Sequence, residues 1–114
     1  MVNYNGKKFK LLKSSSNSEI DESTIFHYHQ EDFLLYGTYN GKNIKYGNLI
    51  GKVAKNGEID MRYHQMNDNG ELMTGICYSK AEINEDGKII LHEKWQWTSG
   101  DKSKGTSMLI EIAK

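Results

Sequence analysis

The chemistry of this sequence is concentrated in residues 88–98, where one carboxylate shares a predicted strand face with two indoles. Successive side chains of a β-strand face opposite ways, so the alternation points Glu93, Trp95 and Trp97 to one side. A charged group on an apolar wall is costly unless a partner or a ligand compensates it. Glu93 is therefore predicted to be the polar anchor of a pocket with aromatic walls.

Asx-Gly pairs divide the chain at short, regular intervals, and such pairs are the strongest short-range signal for β-hairpins. They end at residues 41, 57, 70 and 87, and a weaker Ser-Gly pair ends at residue 100. Each interval has room for one strand and its turn, which predicts neighbouring antiparallel strands in chain order. Eight strands are predicted, at about residues 7–14, 24–30, 33–40, 43–54, 58–66, 71–82, 88–98 and 105–112.

Eight sequential strands make a sheet too wide to stay open and flat, and closing the sheet removes its exposed edges. The predicted fold class is all-β, an eight-stranded antiparallel up-and-down (meander) barrel of the calycin-like kind, with residues 1–114 as a single domain. The interior of such a barrel can hold one small ligand. The polar segment 14–23 is the longest connection and is predicted to be a mobile loop over one mouth, with a helical turn from Ser18 as the alternative.

Alternation assigns one face of each strand to the lumen. The predicted inward residues are Leu11, Phe26, Tyr28, Tyr36, Thr38, Tyr46, Asn48, Ile50, Met61, Tyr63, Gln65, Leu72, Thr74, Ile76, Tyr78, Leu91, Glu93, Trp95, Trp97, Met108 and Ile110. Aromatic walls with a few polar groups are typical of pockets for small organic molecules. The predicted ligand-binding residues are Tyr28, Tyr36, Tyr46, Asn48, Tyr63, Tyr78, Glu93, Trp95 and Trp97. The alternative is that the tyrosines bond one another and Glu93 and fill the barrel without a ligand.

The predicted outer faces are not wholly polar. They carry six apolar residues, Leu35, Leu49, Val53, Met66, Ile90 and Leu109. Scattered apolar residues are normal on a surface, whereas a cluster marks an interface. A homo-oligomer and a module that binds a protein partner therefore stay open as alternatives.

Histidines 27 and 29 have the only spacing that suggests a metal site, because period two places both imidazoles on one strand face. The neighbouring Phe26 and Tyr28 are predicted to be buried, and this sends both histidines outward. We predict neither a metal site nor a cofactor.

Three other reactive side chains give no catalytic set. Arg62, the only arginine, is predicted to lie on the outer surface, with Asp60 or Glu93 as its candidate partner. Cys77 lies in mid-strand without an activating neighbour and is predicted to be a buried, inert thiol. Glu93 has no second catalytic group on its predicted wall, which favours a hydrogen-bond acceptor for a ligand over a general acid or base.

Composition narrows the class of protein. Lys and Arg number 15 and balance 15 Asp and Glu, and the pI is about 6.9, which argues against nucleic-acid binding. No apolar run approaches 18 residues, so neither a spanning helix nor a membrane partner is predicted. The start of the chain lacks an apolar secretion segment, and one cysteine allows no intrachain disulfide. A soluble, cytoplasmic protein is expected.

Four stretches resemble a group of small bacterial proteins of about this length, namely FHYHQ (26–30), LIGKV (49–53), NGELMTG (69–75) and HEKWQWTSGD (92–101). The similarity covers nearly the whole chain. Members often carry the label "N-acetylglutamate synthase" and are otherwise uncharacterised. The resemblance implies a small barrel similar to those of avidins and lipocalins and, through the label, an acetyl-transfer activity.

An enzyme is the alternative to a binding barrel, whether it transfers acetyl groups or isomerises a substrate with Glu93. Acetyltransferases of the usual kind need helices and a glycine-rich turn whose amides hold the acetyl-CoA pyrophosphate. The sequence predicts no strand–turn–helix unit of that type. The leading prediction is therefore a barrel that binds a small organic molecule without catalysis.

Overall fold

Eight antiparallel strands form a closed barrel in chain order, and pairing of the last strand with the first closes it. A computed structural model describes residues 2–112. The strands are β1 Lys8–Ser14, β2 Ile25–Glu31, β3 Leu34–Asn40, β4 Ile44–Val53, β5 Ile59–Asn67, β6 Leu72–Ile83, β7 Ile89–Trp97 and β8 Lys104–Glu111. The predicted all-β meander barrel is confirmed. Within residues 2–112 there is no helix of the length and hydropathy needed to cross a membrane.

Glycines in the left-handed region form the tight turns between the later strands. Gly57, Gly70, Gly87 and Gly100 have φ angles of 88°, 83°, 78° and 62°, a backbone conformation that only glycine adopts without strain. They are four of the five turn glycines that the sequence predicts. The fifth, Gly41, has a different role, because a Cβ at this position would press against the backbone of Thr24.

The predicted faces are correct for β2, β5 and β7 and wrong for β3, β4, β6 and β8. On the wrongly assigned strands the residues predicted inward lie on the outer face, and these are Tyr36, Thr38, Tyr46, Asn48, Ile50, Leu72, Thr74, Ile76, Tyr78, Met108 and Ile110. Four of the residues predicted outward are buried instead, namely Leu35, Leu49, Val53 and Leu109. Met66 and Ile90 do lie on the outer face.

Inward glycines opposite tyrosine rings explain the errors on β4 and β6. Gly47 pairs across the ladder with Tyr39, and Gly75 pairs with Tyr63. A Cβ on either glycine would overlap the ring of its partner. Each ring therefore fills the space that a side chain of the next strand would occupy. Because faces alternate, the large residues that flank each glycine must point outward.

Candidate ligand-binding site

A cavity of about 50 Å³ lies inside the barrel beneath the connection between β1 and β2. Every strand except β1 contributes to its wall. Five of the predicted ligand-binding residues line it, namely Tyr28, Tyr63, Glu93, Trp95 and Trp97. The structure adds Ser18, Glu19, Ile20, Phe26, Tyr39, Leu49, Met61, Gln65, Cys77 and Ser107 to the lining.

The other four predicted residues do not reach this cavity, since β3, β4 and β6 turn glycine positions inward. Tyr36, Tyr46 and Tyr78 are exposed on the outer face, and Asn48 pairs with Thr38 and His64 on the same side. The Tyr36 ring stacks on His29, and the Tyr78 hydroxyl bonds Glu58. The prediction that these four residues face the lumen is therefore wrong.

The aromatic rings enclose most of the cavity. The rings of Trp95 and Trp97 meet edge to face with centroids 5.8 Å apart, and Tyr63 meets Trp97 in the same way at 5.6 Å. On the opposite side Phe26 and Tyr39 stack with centroids 4.8 Å apart. Such pairs fix the orientation of each ring, so the cavity has stiff walls that present ring faces and edges.

Glu93 lies in the wall of this cavity and is only 8% exposed. Its Oε1 accepts a hydrogen bond from Ser107 Oγ at 2.9 Å, and its Oε2 accepts one from Ser79 Oγ at 3.3 Å. Burial raises the pKa of Glu93 to about 7, although the serine hydroxyls act to lower it. The partners of this carboxyl are thus serines of the neighbouring strands and not the tyrosines of the alternative hypothesis.

Tyr28 carries a buried polar atom that no described residue satisfies. Its side chain is 1% exposed, and its hydroxyl has no hydrogen-bond partner within residues 2–112. Burial also raises the pKa of this hydroxyl, which keeps it protonated. Because buried hydroxyls are almost always bonded, a lone one beside a cavity indicates a missing partner.

The connection between β1 and β2, residues 15–24, covers the cavity and is called the lid below. Its Ser18, Glu19 and Ile20 line the cavity from above, so the prediction of a loop over one mouth is confirmed. Glu19 Oε1 accepts a hydrogen bond from Gln65 Nε2 at 2.7 Å, and Glu19 Oε2 accepts one from Asn67 Nδ2 at 3.0 Å. The Tyr39 hydroxyl in turn donates to Gln65 Oε1 at 2.8 Å. This chain of bonds ties the lid to β3 and β5.

Comparison with models of known protein families assigns this barrel to a family. The family model described as "Avidin-like protein" matches residues 2–112. The chain belongs to the avidin-like family. Comparisons with curated proteins and with solved structures gave no match. Membership agrees with the closed eight-stranded barrel and suggests small-molecule binding, while the synthase label and the bacterial source stay predictions.

The other reactive residues of this avidin-like barrel lie apart from the cavity or are inert. Both histidines of the 27–29 pair are on the outer face, and no group of three or more metal-ligating side chains occurs within residues 2–112. Arg62 is exposed and its Nη1 lies 2.7 Å from Asp60 Oδ1, the nearer of its two predicted partners. Cys77 is buried, and burial raises the pKa of its thiol, which agrees with an inert thiol.

Substitution of Glu19 by alanine tests the lid of the avidin-like barrel. The change removes two charge-assisted hydrogen bonds, each worth about 1.5–3 kcal/mol, so the population of open lid should rise at least about tenfold. We expect acrylamide to quench the tryptophan fluorescence more strongly than in the wild type. Glu22→Ala is the matched control, because Glu22 is exposed on the same lid. Equal quenching in both variants would show that the hydrogen bonds of Glu19 do not hold the lid closed.

Proposed function

We propose that this avidin-like barrel binds a small organic molecule between its tryptophan wall and Tyr28. The observation that carries the proposal is the unpaired, buried Tyr28 hydroxyl beside a cavity with aromatic walls. Leaving such a group unpaired costs roughly 1–3 kcal/mol. A protein that only needed a filled core would avoid that cost with phenylalanine. A ligand with a polar atom opposite the hydroxyl would offset it.

The size of the cavity implies that the ligand enters with movement of the lid. About 50 Å³ is far below the roughly 300–1,000 Å³ of ordinary ligand pockets. Residues 18–20 form the cover, and within it Glu19 makes hydrogen bonds that water can replace. Asn17 and Asp21 on either side are bonded to Lys104 and Asn43 and can act as the ends about which the cover moves. Displacement of this cover would enlarge the site without any change in the strands.

Binding without catalysis agrees better with the geometry than either enzyme hypothesis. Among the described residues that line the cavity, none is a lysine, arginine or histidine, and Glu19 is engaged by two amide groups. The described residues also form no helix, so they offer no helix N-terminus for the pyrophosphate of acetyl-CoA. These observations favour a binding role for Glu93.

Native mass spectrometry of freshly purified protein tests the proposal, with denaturation afterwards to release and weigh any bound molecule. We expect a reproducible added mass below about 500 Da, as is usual for a ligand of this kind of pocket. Glu93→Gln and Trp97→Ala should reduce the bound fraction. A bare protein mass, together with no binder in a screen of small organic molecules, would contradict the proposed function.

We also propose that the barrel self-associates through an apolar patch on its outer face. Cross-strand neighbours build this patch, since Tyr36 pairs with Ile50 and Tyr46 pairs with Met66. The outer apolar patch consists of Tyr36, Tyr46, Ile50, Met66, Leu72 and Ile76, all of them exposed. This patch differs from the outward apolar residues predicted from the sequence, because two of those, Leu49 and Leu109, are buried in the core. The residues form two apolar rows on either side of the polar row Thr38, Asn48, His64 and Thr74. Exposed apolar rows of this kind favour an interface.

Ile50→Lys tests this assembly. Ile50 is 58% exposed, so a lysine there should leave the fold intact but place a charge within the outer apolar patch. We expect sedimentation velocity to report a shift from oligomer to monomer. Leu12→Lys is the control, because Leu12 is 51% exposed on β1 and outside the patch. A wild-type protein that is monomeric at high concentration would rule the assembly out.

A further inference from the structure

The cavity has a one-sided charge distribution. Two carboxyl groups line it, those of Glu19 and Glu93, and no lysine, arginine or histidine among the described residues does. The remaining wall is largely apolar and contains the rings of Trp95, Trp97 and Tyr63. An electronegative site of this kind repels an anionic ligand and attracts a positive charge. Ring faces add to the attraction, because their quadrupoles favour cations.

The buried polar groups of the cavity have hydrogen-bonding capacity left. Each oxygen of the Glu93 carboxylate accepts one bond, from Ser79 or from Ser107. A carboxylate has about four acceptor positions, so it can accept further N–H donors. Tyr28 lines the same cavity, and its unpaired hydroxyl can also accept a bond. An ammonium group supplies three donors and no acceptor, which fits this set.

We propose that the ligand is a small organic cation, an amine with an apolar or aromatic body, whose ammonium group lies against Glu93 and Tyr28. This inference rests on the proposed binding function and specifies the ligand class of the same site. The aromatic walls would hold the body of the ligand. The Glu19 carboxylate is already engaged by Gln65 and Asn67 and contributes only through its field.

Binding of a cation by this site is coupled to one proton. Burial keeps part of the Glu93 population protonated near neutral pH, and a cation binds the ionised form, so the carboxyl proton leaves to the solvent. The other titratable groups that face Glu93 are Cys77, Tyr28, Tyr39, Tyr63 and Glu19. Burial raises the pKa of the first four and keeps them neutral. Affinity for a cation should therefore rise between pH 5 and pH 8.

Three benzyl probes of nearly equal shape test the inference, namely benzylammonium, benzyl alcohol and benzoate. Affinities are measured at pH 8 by titration calorimetry and by tryptophan fluorescence. We expect benzylammonium to bind the wild type at least about tenfold more tightly than benzyl alcohol, since one charge-assisted bond accounts for that factor. Benzoate should bind most weakly. Repeating the ammonium titration at pH 6.5 in buffers of different ionisation enthalpy should reveal proton release.

Glu93→Gln is the decisive variant, because it removes the charge and keeps the shape. The variant should lose the preference for benzylammonium over benzyl alcohol, so that the ratio of the two affinities falls at least about tenfold. If the alcohol or benzoate binds the wild type more tightly than benzylammonium, the cation class is wrong and the binding function stands. The same conclusion follows if Glu93→Gln keeps the preference. If none of the probes binds, the cation class is contradicted, and the native mass measurement described above decides separately whether the barrel binds a small molecule.

Discussion

Replacing Glu93 with glutamine should remove most of the pH dependence of stability between pH 5 and pH 8. The pKa of Glu93 is about 7 in the folded protein, against 4.5 for an unperturbed glutamate. The folded state therefore binds more protons than the unfolded chain within this window, and stability falls as the pH rises. A shift of this size corresponds to about 3 kcal/mol. The contribution is complete below about pH 4.5 and is lost above about pH 7.

Other carboxyl groups do not obscure this window. Hydrogen bonds lower the pKa values of Asp21 and Asp101, and Lys42 adds to this at Asp21. Burial acts to raise the pKa of Glu111, but hydrogen bonds and nearby lysines outweigh it and lower the value. A lowered pKa has the opposite effect on the pH dependence of stability. These carboxyl groups stabilise the folded protein at neutral pH, and that contribution is lost only as the pH falls below about 4. The two effects are therefore separated on the pH axis.

Urea unfolding at a series of pH values measures the effect in the absence of ligand. The wild type should lose about 2.5 kcal/mol of unfolding free energy from pH 5 to pH 8, whereas Glu93→Gln should stay nearly level. Glu85→Gln is a suitable control, because Glu85 is exposed in the turn between β6 and β7. A wild type as stable at pH 8 as at pH 5 would mean that Glu93 is ionised at little cost.

Two tyrosine-to-phenylalanine changes in the wall of the cavity should change the stability of the protein in opposite directions. Tyr28→Phe removes an unpaired buried hydroxyl, so the unliganded protein should gain about 1 kcal/mol or more. Tyr39→Phe removes the donor to Gln65 Oε1 and leaves that acceptor unpaired, so the protein should lose about 1–3 kcal/mol. Both changes remove one oxygen from a nearly fully buried ring, which makes them a matched pair.

The gain in Tyr28→Phe should be accompanied by weaker ligand binding. Residues kept for function often reduce stability, and their replacement raises it. We expect Tyr28→Phe to bind the pocket ligand several-fold less tightly, because one hydrogen bond is worth about 0.5–1.5 kcal/mol. Thermal melts and binding titrations on both variants measure the two effects. A Tyr28→Phe variant that is less stable than the wild type would show that the hydroxyl has a structural partner.

Part of the site could be predicted from the sequence because β7 is unambiguous. The other face of β7 carries His92, Lys94 and Gln96, with Ile90 as its one apolar residue, so burial favours the face of Glu93, Trp95 and Trp97. β2 and β5 are nearly as clear, and they contribute Tyr28 and Tyr63 to the cavity. On these strands local pattern and tertiary position agree.

Strands β3, β4 and β6 carry large residues on both faces, so their sequence pattern does not show which face is buried. Tyr36, Tyr46 and Tyr78 are larger than the glycines next to or near them, so hydrophobicity alone places them inside. The cross-strand partners decide otherwise, since Tyr39 and Tyr63 need a glycine opposite each ring. A search for pairs of an aromatic residue and a glycine across each predicted hairpin could have given the correct faces.

The sequence by itself determined the number and order of the strands, their turns, and the presence of one carboxylate on an aromatic wall, because these depend on local alternation and turn chemistry. Only the tertiary structure decided which face of four strands lines the lumen, and that Glu19 closes the cavity from the lid. It also decided that Tyr28 lacks a partner while Tyr39 has one. The reason is physical: register and hydrogen-bond partners depend on which strands become neighbours when the barrel closes.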